Sequence, residues 1–129
     1  MIVVDCSALI DAMTGVEGTE DLTALLVADE LHAPTLIDYE LTAAISGMVL
    51  RSTLSADRAN DALTDFDGLA IRRWDSVDAF RRKALGWRDN VSAYDAAYVV
   101  LAQMLRCPLV TRDRRLAKAA GRRVDVVVL

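Results

Sequence analysis

Apolar and polar residues follow two distinct patterns along this chain. Short, largely apolar runs predict strands at residues 2–4, 31–34, 69–74, 108–111 and 124–129. In the stretches between them, apolar residues recur every three or four positions. This spacing predicts helices from about residue 7 and at residues 20–31, 35–50, 55–66, 76–87, 92–106 and 114–121. Apolar strands that alternate with helices are typical of a parallel sheet with helices on both faces. The pattern therefore predicts one α/β domain over residues 1–129.

The helix predicted at residues 35–50 carries a carboxylate on its apolar side. We expect Thr35 to cap its first turn, with Asp38 three residues later. The residues three and four positions away from Glu40 are all apolar, and no basic residue lies within helical reach of it. Because an unpaired charge is costly in such surroundings, Glu40 needs a partner from elsewhere in the fold. A metal ion is the simplest such partner.

Three further acids are expected at the same edge of the sheet. Functional groups of open α/β sheets collect beyond the carboxyl ends of the strands. Asp5 follows the first strand directly, Asp113 follows the fourth, and Asp95 lies in the first turn of the helix that begins at Ser92. Helix capping is an alternative role for these acids, either as N-cap residues or in a Ser-x-x-Asp capping box. A cluster made only of carboxylates suits Mg²⁺ or Mn²⁺, whereas one histidine and two cysteines are too few for zinc.

The net charge of −4 conceals a marked asymmetry between the two halves of the chain. Residues 1–70 contain two basic and thirteen acidic residues, a net charge of −11, and residues 71–129 contain thirteen basic and six acidic ones, a net charge of +7. The second half can therefore form a basic surface beside an acidic site, the arrangement expected for a polyanionic ligand. Solvated helix faces are the alternative explanation for the same residues.

The remaining composition bears on the compartment. No apolar run approaches the roughly 20 residues that a membrane helix needs, and the N-terminus lacks a basic leader. We therefore expect a cytoplasmic protein without a membrane partner. Cys6 and Cys107 each adjoin an apolar segment, which predicts free buried thiols rather than a disulfide. The only histidine, His32, is expected at the surface or at a strand end rather than among metal ligands.

Four segments of the chain resemble a known family. VVDCSALID, PTLIDYELTAAI, NVSAYDAAYVVLA and LVTRDRRLAKAA resemble the signature segments of PIN-domain ribonucleases, and more narrowly those of the VapC toxins of type II toxin–antitoxin pairs. The resemblance implies a five-stranded parallel sheet between helices. It also implies metal-binding carboxylates at Asp5, Glu40, Asp95 and Asp113, with Ser7 and Thr111 as accompanying polar residues. Cys6 departs from the family, which usually has a small residue such as alanine there.

The resemblance also implies an activity and partners. The activity is Mg²⁺- or Mn²⁺-dependent cleavage of single-stranded RNA, inhibited by a cognate VapB-type antitoxin that binds a homodimer of the toxin. We expect products with a 3′-hydroxyl and a 5′-phosphate, because no histidine pair is present to activate a 2′-hydroxyl. The candidates for contacting RNA phosphates at the rim of the acidic site are Ser92, Arg88, Arg112, Arg114 and Arg115.

Other functions fit the sequence less well. Haloacid-dehalogenase-like enzymes need a second aspartate two residues after the first, where this chain has Ser7. Response-regulator receivers need a lysine just after a late strand, where this chain has Arg114. Two alternatives keep the PIN-like fold. One is a nuclease of RNA processing outside a toxin–antitoxin pair, and the other is a scaffold that binds RNA or protein without cutting. An antitoxin gene immediately upstream would distinguish a toxin from the processing nuclease.

Overall fold

Five strands and seven helices alternate in the computed structural model, which describes residues 1–129. The strands are β1 (Ile2–Val4), β2 (Leu31–Pro34), β3 (Ile71–Trp74), β4 (Leu109–Val110) and β5 (Val126–Val127). The helices are α1 (Cys6–Met13), α2 (Glu20–Ala28), α3 (Ile37–Leu50), α4 (Ala56–Gly68), α5 (Asp78–Leu85), α6 (Ala93–Leu105) and α7 (Arg114–Ala120). The predicted order of elements is confirmed. Helix α2 ends earlier than expected because Leu31 pairs with Ile2 in the sheet.

The sheet is parallel throughout, with the strand order β3-β2-β1-β4-β5. The predicted α/β class, with a five-stranded parallel sheet and helices on both faces, is confirmed. The chain moves outward from β1 to β3 and then crosses to β4 on the other side of β1. Such a switch point opens a crevice beyond the carboxyl ends of the two strands involved, here β1 and β4. Asp5 and Asp113 follow these two strands.

The core is aliphatic and centres on α6, which packs against β1, β2 and β4. Its buried face comprises Ala96, Tyr98, Val99, Val100, Leu101 and Ala102. Strands β1 and β4 are buried along their length, as expected for central strands. The expectation of apolar strands fails at the edge, because β3 borders solvent and exposes Arg72 and Arg73. Cys6 and Cys107 are free and buried, as predicted, and none of the helices has the length and apolarity needed to cross a membrane.

One local prediction is wrong, and one holds only in part. Thr35 does not cap α3, which begins without a side-chain cap after Leu36. The Thr35 backbone N–H instead donates to the carbonyl of Trp74 at 3.0 Å and so continues the pairing of β2 with β3. His32, expected at the surface or at a strand end, lies near the start of β2 but is buried rather than exposed. Its Nδ1 accepts a hydrogen bond from the Trp74 indole at 2.9 Å, and its Nε2 lies 3.0 Å from Glu30. Both ring nitrogens therefore have partners, which makes burial tolerable.

Candidate active site

Asp5 is a buried carboxylate at the end of β1, only 5% exposed. Its Oδ1 accepts hydrogen bonds from the Ser7 hydroxyl at 2.7 Å and from the Ala8 backbone N–H at 3.1 Å. Its Oδ2 accepts a hydrogen bond from the Thr111 hydroxyl at 2.6 Å. No basic side chain forms an ion pair with it. Asp5 therefore caps α1 and at the same time presents a rigidly held carboxylate at the switch point.

The hydroxyls of Ser7 and Thr111 join the ends of β1 and β4. Their oxygens lie 3.2 Å apart, although 104 residues separate them along the chain. Ser7 also accepts a hydrogen bond from the Arg112 backbone N–H at 2.9 Å, and Thr111 accepts one from the Asp113 N–H at 3.0 Å. This network fixes the loop after β4, and with it Asp113, relative to Asp5. Asp113 in turn caps α7 by accepting from the first backbone N–H groups of that helix.

Glu40 points from the first turn of α3 into the same region. It is partly buried, and its Oε1 accepts a hydrogen bond from the hydroxyl of Tyr98 on α6 at 3.0 Å. Burial raises the pKa of Glu40, the charges of Asp95 and Asp5 raise it further, and the Tyr98 hydrogen bond opposes the shift. Like Asp5, Glu40 has no ion-pair partner. In the apolar surroundings expected from the sequence, Glu40 therefore has only neutral donors, the Tyr98 hydroxyl and the Cys6 thiol, and no cation.

Charge repulsion links Asp5 to neighbouring acidic groups. Burial raises the pKa of Asp5, while its bonds from Thr111, Ser7 and the Ala8 N–H lower it, and the Asp113 charge raises it. The pKa of the neighbouring Cys6 thiol rises to about 12, mainly through burial and then through the charges of Glu40 and Asp5. Mutual repulsion of this kind arises only between groups that lie close together. Asp113, Asp5, Glu40 and Asp95 thus form a continuous series of interacting carboxylates.

Arg115 connects the two ends of this series. Its Nη2 lies 3.8 Å from Asp95 Oδ2 and 3.7 Å from Asp113 Oδ2. Asp95 itself stands in the first turn of α6, where the Ser92 hydroxyl accepts a hydrogen bond from the Asp95 N–H at 3.1 Å. The expected cap at Ser92 is therefore present. Helix capping does not prevent these acids from sharing one site, because the helix N-termini at which they lie point toward the switch point.

The donor set is suited to a hard cation, although its present geometry does not enclose one. No three His, Cys, Asp or Glu side chains converge closely enough to hold a metal ion. The carboxylates that lack a cationic partner, Asp5 and Glu40, are also the ones whose pKa burial raises most directly. An ion bound between them would relieve that repulsion, and all-oxygen ligands fit Mg²⁺ or Mn²⁺. The side chains of Asp95 and Asp113 would complete such a set.

The basic residues expected at the rim fall into two groups. Arg112 forms an ion pair with Asp11 at 2.7 Å and keeps one buried guanidinium nitrogen without a partner, and Arg115 contacts the acids directly. Arg114 and Arg88 are exposed, and neither forms an ion pair with any of the acids. The structure therefore brings Arg112 and Arg115, but not Arg88 or Arg114, into contact with acidic side chains.

An apolar cleft of about 430 Å³ is lined by residues that lie close in the sequence to two of the acids. Its lining includes Leu36, Trp74, Phe80, Leu85 and Tyr94. Leu36 lies one helical turn before Glu40, and Tyr94 immediately precedes Asp95. Tyr94 and Leu85 are 68% and 63% exposed, unusual for side chains of this size. In the sequence, the only indication of this cleft is that Leu36 and Tyr94 lie within one helical turn of Glu40 and Asp95.

Comparison with known proteins identifies the family. A family model for the PIN domain matches residues 2–122. Ribonuclease VapC9 of Mycobacterium tuberculosis is 37% identical over 131 aligned positions, which cover 100% of this chain and 98% of the relative. Ribonuclease VapC12 of the same species is 32% identical over 126 positions, covering 98% and 97% of the two chains.

Solved structures show the same fold. VapBC2 from Rickettsia felis, bound to a DNA fragment from its promoter, superposes with a TM-score of 0.71 at 13% identity and covers 100% of this chain and 99% of its own. M. tuberculosis VapC20, described as a sarcin–ricin-loop-cleaving toxin, superposes with a TM-score of 0.69 at 13% identity, covering 92% and 95%. The PIN-domain model that matches residues 2–122 and the relatives matched over nearly their full length show that this chain belongs to the PIN-domain family and, within it, to the VapC ribonucleases.

Proposed function

We propose that this protein is a Mg²⁺- or Mn²⁺-dependent endoribonuclease toxin that cuts single-stranded RNA. Its full-length VapC relatives support the reaction class. The observation that carries the metal dependence is the pair of buried or half-buried carboxylates, Asp5 and Glu40, that have no cationic partner. The proposed metal ligands are Asp5, Glu40, Asp95 and Asp113, within one domain that spans residues 1–129. Cellular RNA as the substrate implies action in the cytoplasm.

When bound, the metal ion supplies Lewis acidity at the scissile phosphate and makes an attacking water acidic enough to ionise near neutral pH. The residues of the chain provide the fixed geometry around it. The bonds from Thr111, Ser7 and the Ala8 N–H hold Asp5 in one orientation. Such preorganised groups need no rearrangement during the reaction. Glu40 is held by Tyr98 in a similar way.

A carboxylate, rather than a histidine, is proposed to accept the proton of the attacking water. Glu40 has a raised pKa, so it is suited to accept the proton of the attacking water. Asp95 is the second candidate for this role, because its charge acts on Glu40 from the same side of the site. His32 is buried with both nitrogens occupied. We therefore expect attack by water, which leaves a 5′-phosphate and a 3′-hydroxyl.

Arginines at the rim are proposed to contact the RNA backbone. Arg115 lies across the mouth of the acidic site, and Arg112 has a guanidinium nitrogen without a partner. Guanidinium groups bind phosphate oxygens in a bidentate manner. Arg88, Arg114 and the Ser92 hydroxyl are weaker candidates, because Ser92 already caps α6 and the two arginines stand apart from the acids.

The proposal is tested by cleavage of a single-stranded RNA pool with Mn²⁺, Mg²⁺ or EDTA. Asp95→Asn removes one carboxylate of the site, and Asp89→Asn is the matched control, since Asp89 is an exposed acid in the preceding loop. We expect metal-dependent cleavage that survives Asp89→Asn, disappears in Asp95→Asn and leaves 5′-phosphates. RNA binding without cutting in any metal would favour the scaffold alternative. Cutting that persists in Asp95→Asn would show that the site lies elsewhere.

We further propose that a VapB-type antitoxin inhibits a homodimer of this protein. The structural neighbours include a VapBC assembly. The apolar cleft beside Glu40 and Asp95 offers a surface for apolar antitoxin residues, and the acids offer a site for one basic side chain. Co-purification with the product of an upstream gene and light scattering of the complex test both points. An upstream product that binds without inhibiting cleavage, or a monomer at working concentration, would contradict them.

A further inference from the structure

A second cleft lies at the opposite edge of the sheet from the acids. It has a volume of about 550 Å³ and borders the segments that lead into β4 and β5, so it lies at the amino ends of these strands. Arg106, Arg122 and Arg123 all line it. The proposed cleavage reaction uses none of these residues, which makes the concentration of arginine in one cleft a separate feature of the molecule.

The charges in this cleft do not cancel. None of the three arginines takes part in any ion pair of the structure, and all three are exposed. Asp125 is the only acid in the lining. Helices α6 and α7 also end here, and each helix end is equivalent to about half a negative charge. Three positive charges against about two negative ones leave the cleft net positive, the sign that attracts phosphate.

The backbone at Arg106 provides a second observation. This residue ends α6 with φ 53° and ψ 47°, the left-handed conformation in which glycine is strongly favoured. A side chain at this position strains the backbone, so its presence needs a compensating reason. Arg123 is also placed, because its guanidinium lies 4.8 Å above the ring of the buried Trp87. One of the three guanidiniums, that of Arg123, is thus held in a defined position beside the strained backbone at Arg106.

We infer that this cleft binds backbone phosphates of the RNA substrate at a point remote from the cleavage site. The inference rests on the proposed function, since it assigns a second contact to the same RNA. Strands of two to four residues separate the two edges by about 7–13 Å, before the loops are counted. A long folded RNA can reach both edges, whereas a short oligonucleotide at the acids reaches only one. Stabilisation of the two helix ends is the competing explanation for the arginines.

The test separates these explanations by measuring RNA affinity and stability together. Arg106→Gly relieves the left-handed conformation, so we expect the melting temperature to rise by a few degrees. The combined variant Arg106→Gly/Arg122→Gln/Arg123→Gln should lose three phosphate contacts. Its slope of log affinity against log salt should then be shallower by roughly 2–3, at about 0.7 per contact with single-stranded and about 0.9 with double-helical parts of a folded RNA. Between about 50 and 200 mM salt, the affinity of the wild type should therefore fall roughly 16- to 40-fold more than that of the combined variant.

Fluorescence anisotropy with transfer RNA as the probe, in EDTA, gives this slope. Arg51→Gln is the matched control, since it removes an exposed arginine at the end of α3 that does not line the cleft. Cleavage of a short oligonucleotide by the combined variant should equal that of the wild type. A slope unchanged from the wild type, or lowered equally by Arg51→Gln, would overturn the inference. The inference would also be overturned if the combined variant bound anionic vesicles more weakly than the wild type but bound RNA equally well.

The two proposals fail in different ways. If the wild type cuts the short oligonucleotide and the combined variant binds transfer RNA normally, the nuclease stands and the remote phosphate site falls. If the wild type cuts nothing but the combined variant shows the shallower salt slope, the phosphate site stands and the nuclease falls. Arg122→Gln/Arg123→Gln, which leaves the helix end at Arg106 intact, repeats the measurement should the combined variant fail to fold.

Discussion

Replacing Thr111 by valine tests how the acidic site is held together. The Thr111 side chain is completely buried, and its hydroxyl donates to Asp5 at 2.6 Å and accepts from the Asp113 N–H at 3.0 Å. Valine has nearly the same shape but no hydroxyl. The variant therefore leaves the buried Asp5 carboxylate with one donor fewer and the Asp113 N–H without this acceptor, while the packing stays the same.

The expected loss follows from these two bonds. A hydrogen bond to a charged group contributes about 1.5–3 kcal/mol, and one between neutral groups about 0.5–1.5 kcal/mol. Their sum gives a loss of about 2–4.5 kcal/mol in the free energy of unfolding. For 129 residues the entropy of unfolding is about 270 cal/mol/K, so the melting temperature should fall by about 7–17 °C. Thr111→Ser keeps the hydroxyl and loses one methyl group, for which about 1 kcal/mol is expected.

The pH dependence distinguishes this reasoning from a simple packing defect. The Thr111 bond favours the ionised form of Asp5 and so lowers its pKa, although burial holds that pKa above its ordinary value overall. The difference in unfolding free energy between wild type and Thr111→Val is therefore largest above the Asp5 pKa and shrinks as the pH falls through it. Urea unfolding of the metal-free proteins at about pH 7 and pH 4 measures it. A loss below about 1 kcal/mol at pH 7, or the same loss at both pH values, would refute the reasoning.

Three further substitutions or treatments have definite outcomes. Tyr98→Phe removes the donor that lowers the pKa of Glu40, so the acid limb of the pH–kcat/KM profile should move to higher pH, and an unmoved limb would contradict this role. His32→Leu leaves the Trp74 N–H without its acceptor and should cost about 1–3 kcal/mol in urea unfolding. The double variant His32→Leu/Trp74→Phe should then lose less unfolding free energy than the two single variants together, whereas strictly additive losses would argue against the hydrogen bond. Because burial and two nearby acids raise the Cys6 pKa to about 12, its thiol should resist alkylation at about pH 7 until the protein unfolds, and rapid labelling of the native protein would disprove it.

Local signals in the sequence predict local structure well where no partner strand competes. Ser92 caps α6 as its Ser-x-x-Asp pattern indicates, because a cap needs only a backbone N–H three residues away. Thr35 carries the same kind of signal and does not cap, because its N–H is used in pairing with β3. The end of α2 is misplaced for a similar reason, since the residues that follow join the sheet beside β1.

The candidate site shows the same division. Its four acids are visible in the sequence, through their places after strands, the anomalous position of Glu40 and the resemblance to PIN-domain signatures. Their partners are not visible, because Tyr98 lies 58 residues from Glu40, and Thr111 lies 106 residues from Asp5. The remote arginine cleft likewise joins the end of α6 to the end of α7, and its strained member Arg106 can be recognised only from backbone angles.

The sequence by itself determined the order of the elements, the apolar faces of the strands and helices, and the residue types that the site employs. These properties depend on the spacing of apolar residues and on neighbours within a few positions, both of which are contained in the local sequence. The tertiary structure alone decided which strand ends meet, that β1 lies between β2 and β4, and which side chains hold each carboxylate. These contacts form between segments far apart in the chain, and their free energy depends on packing that no local pattern encodes.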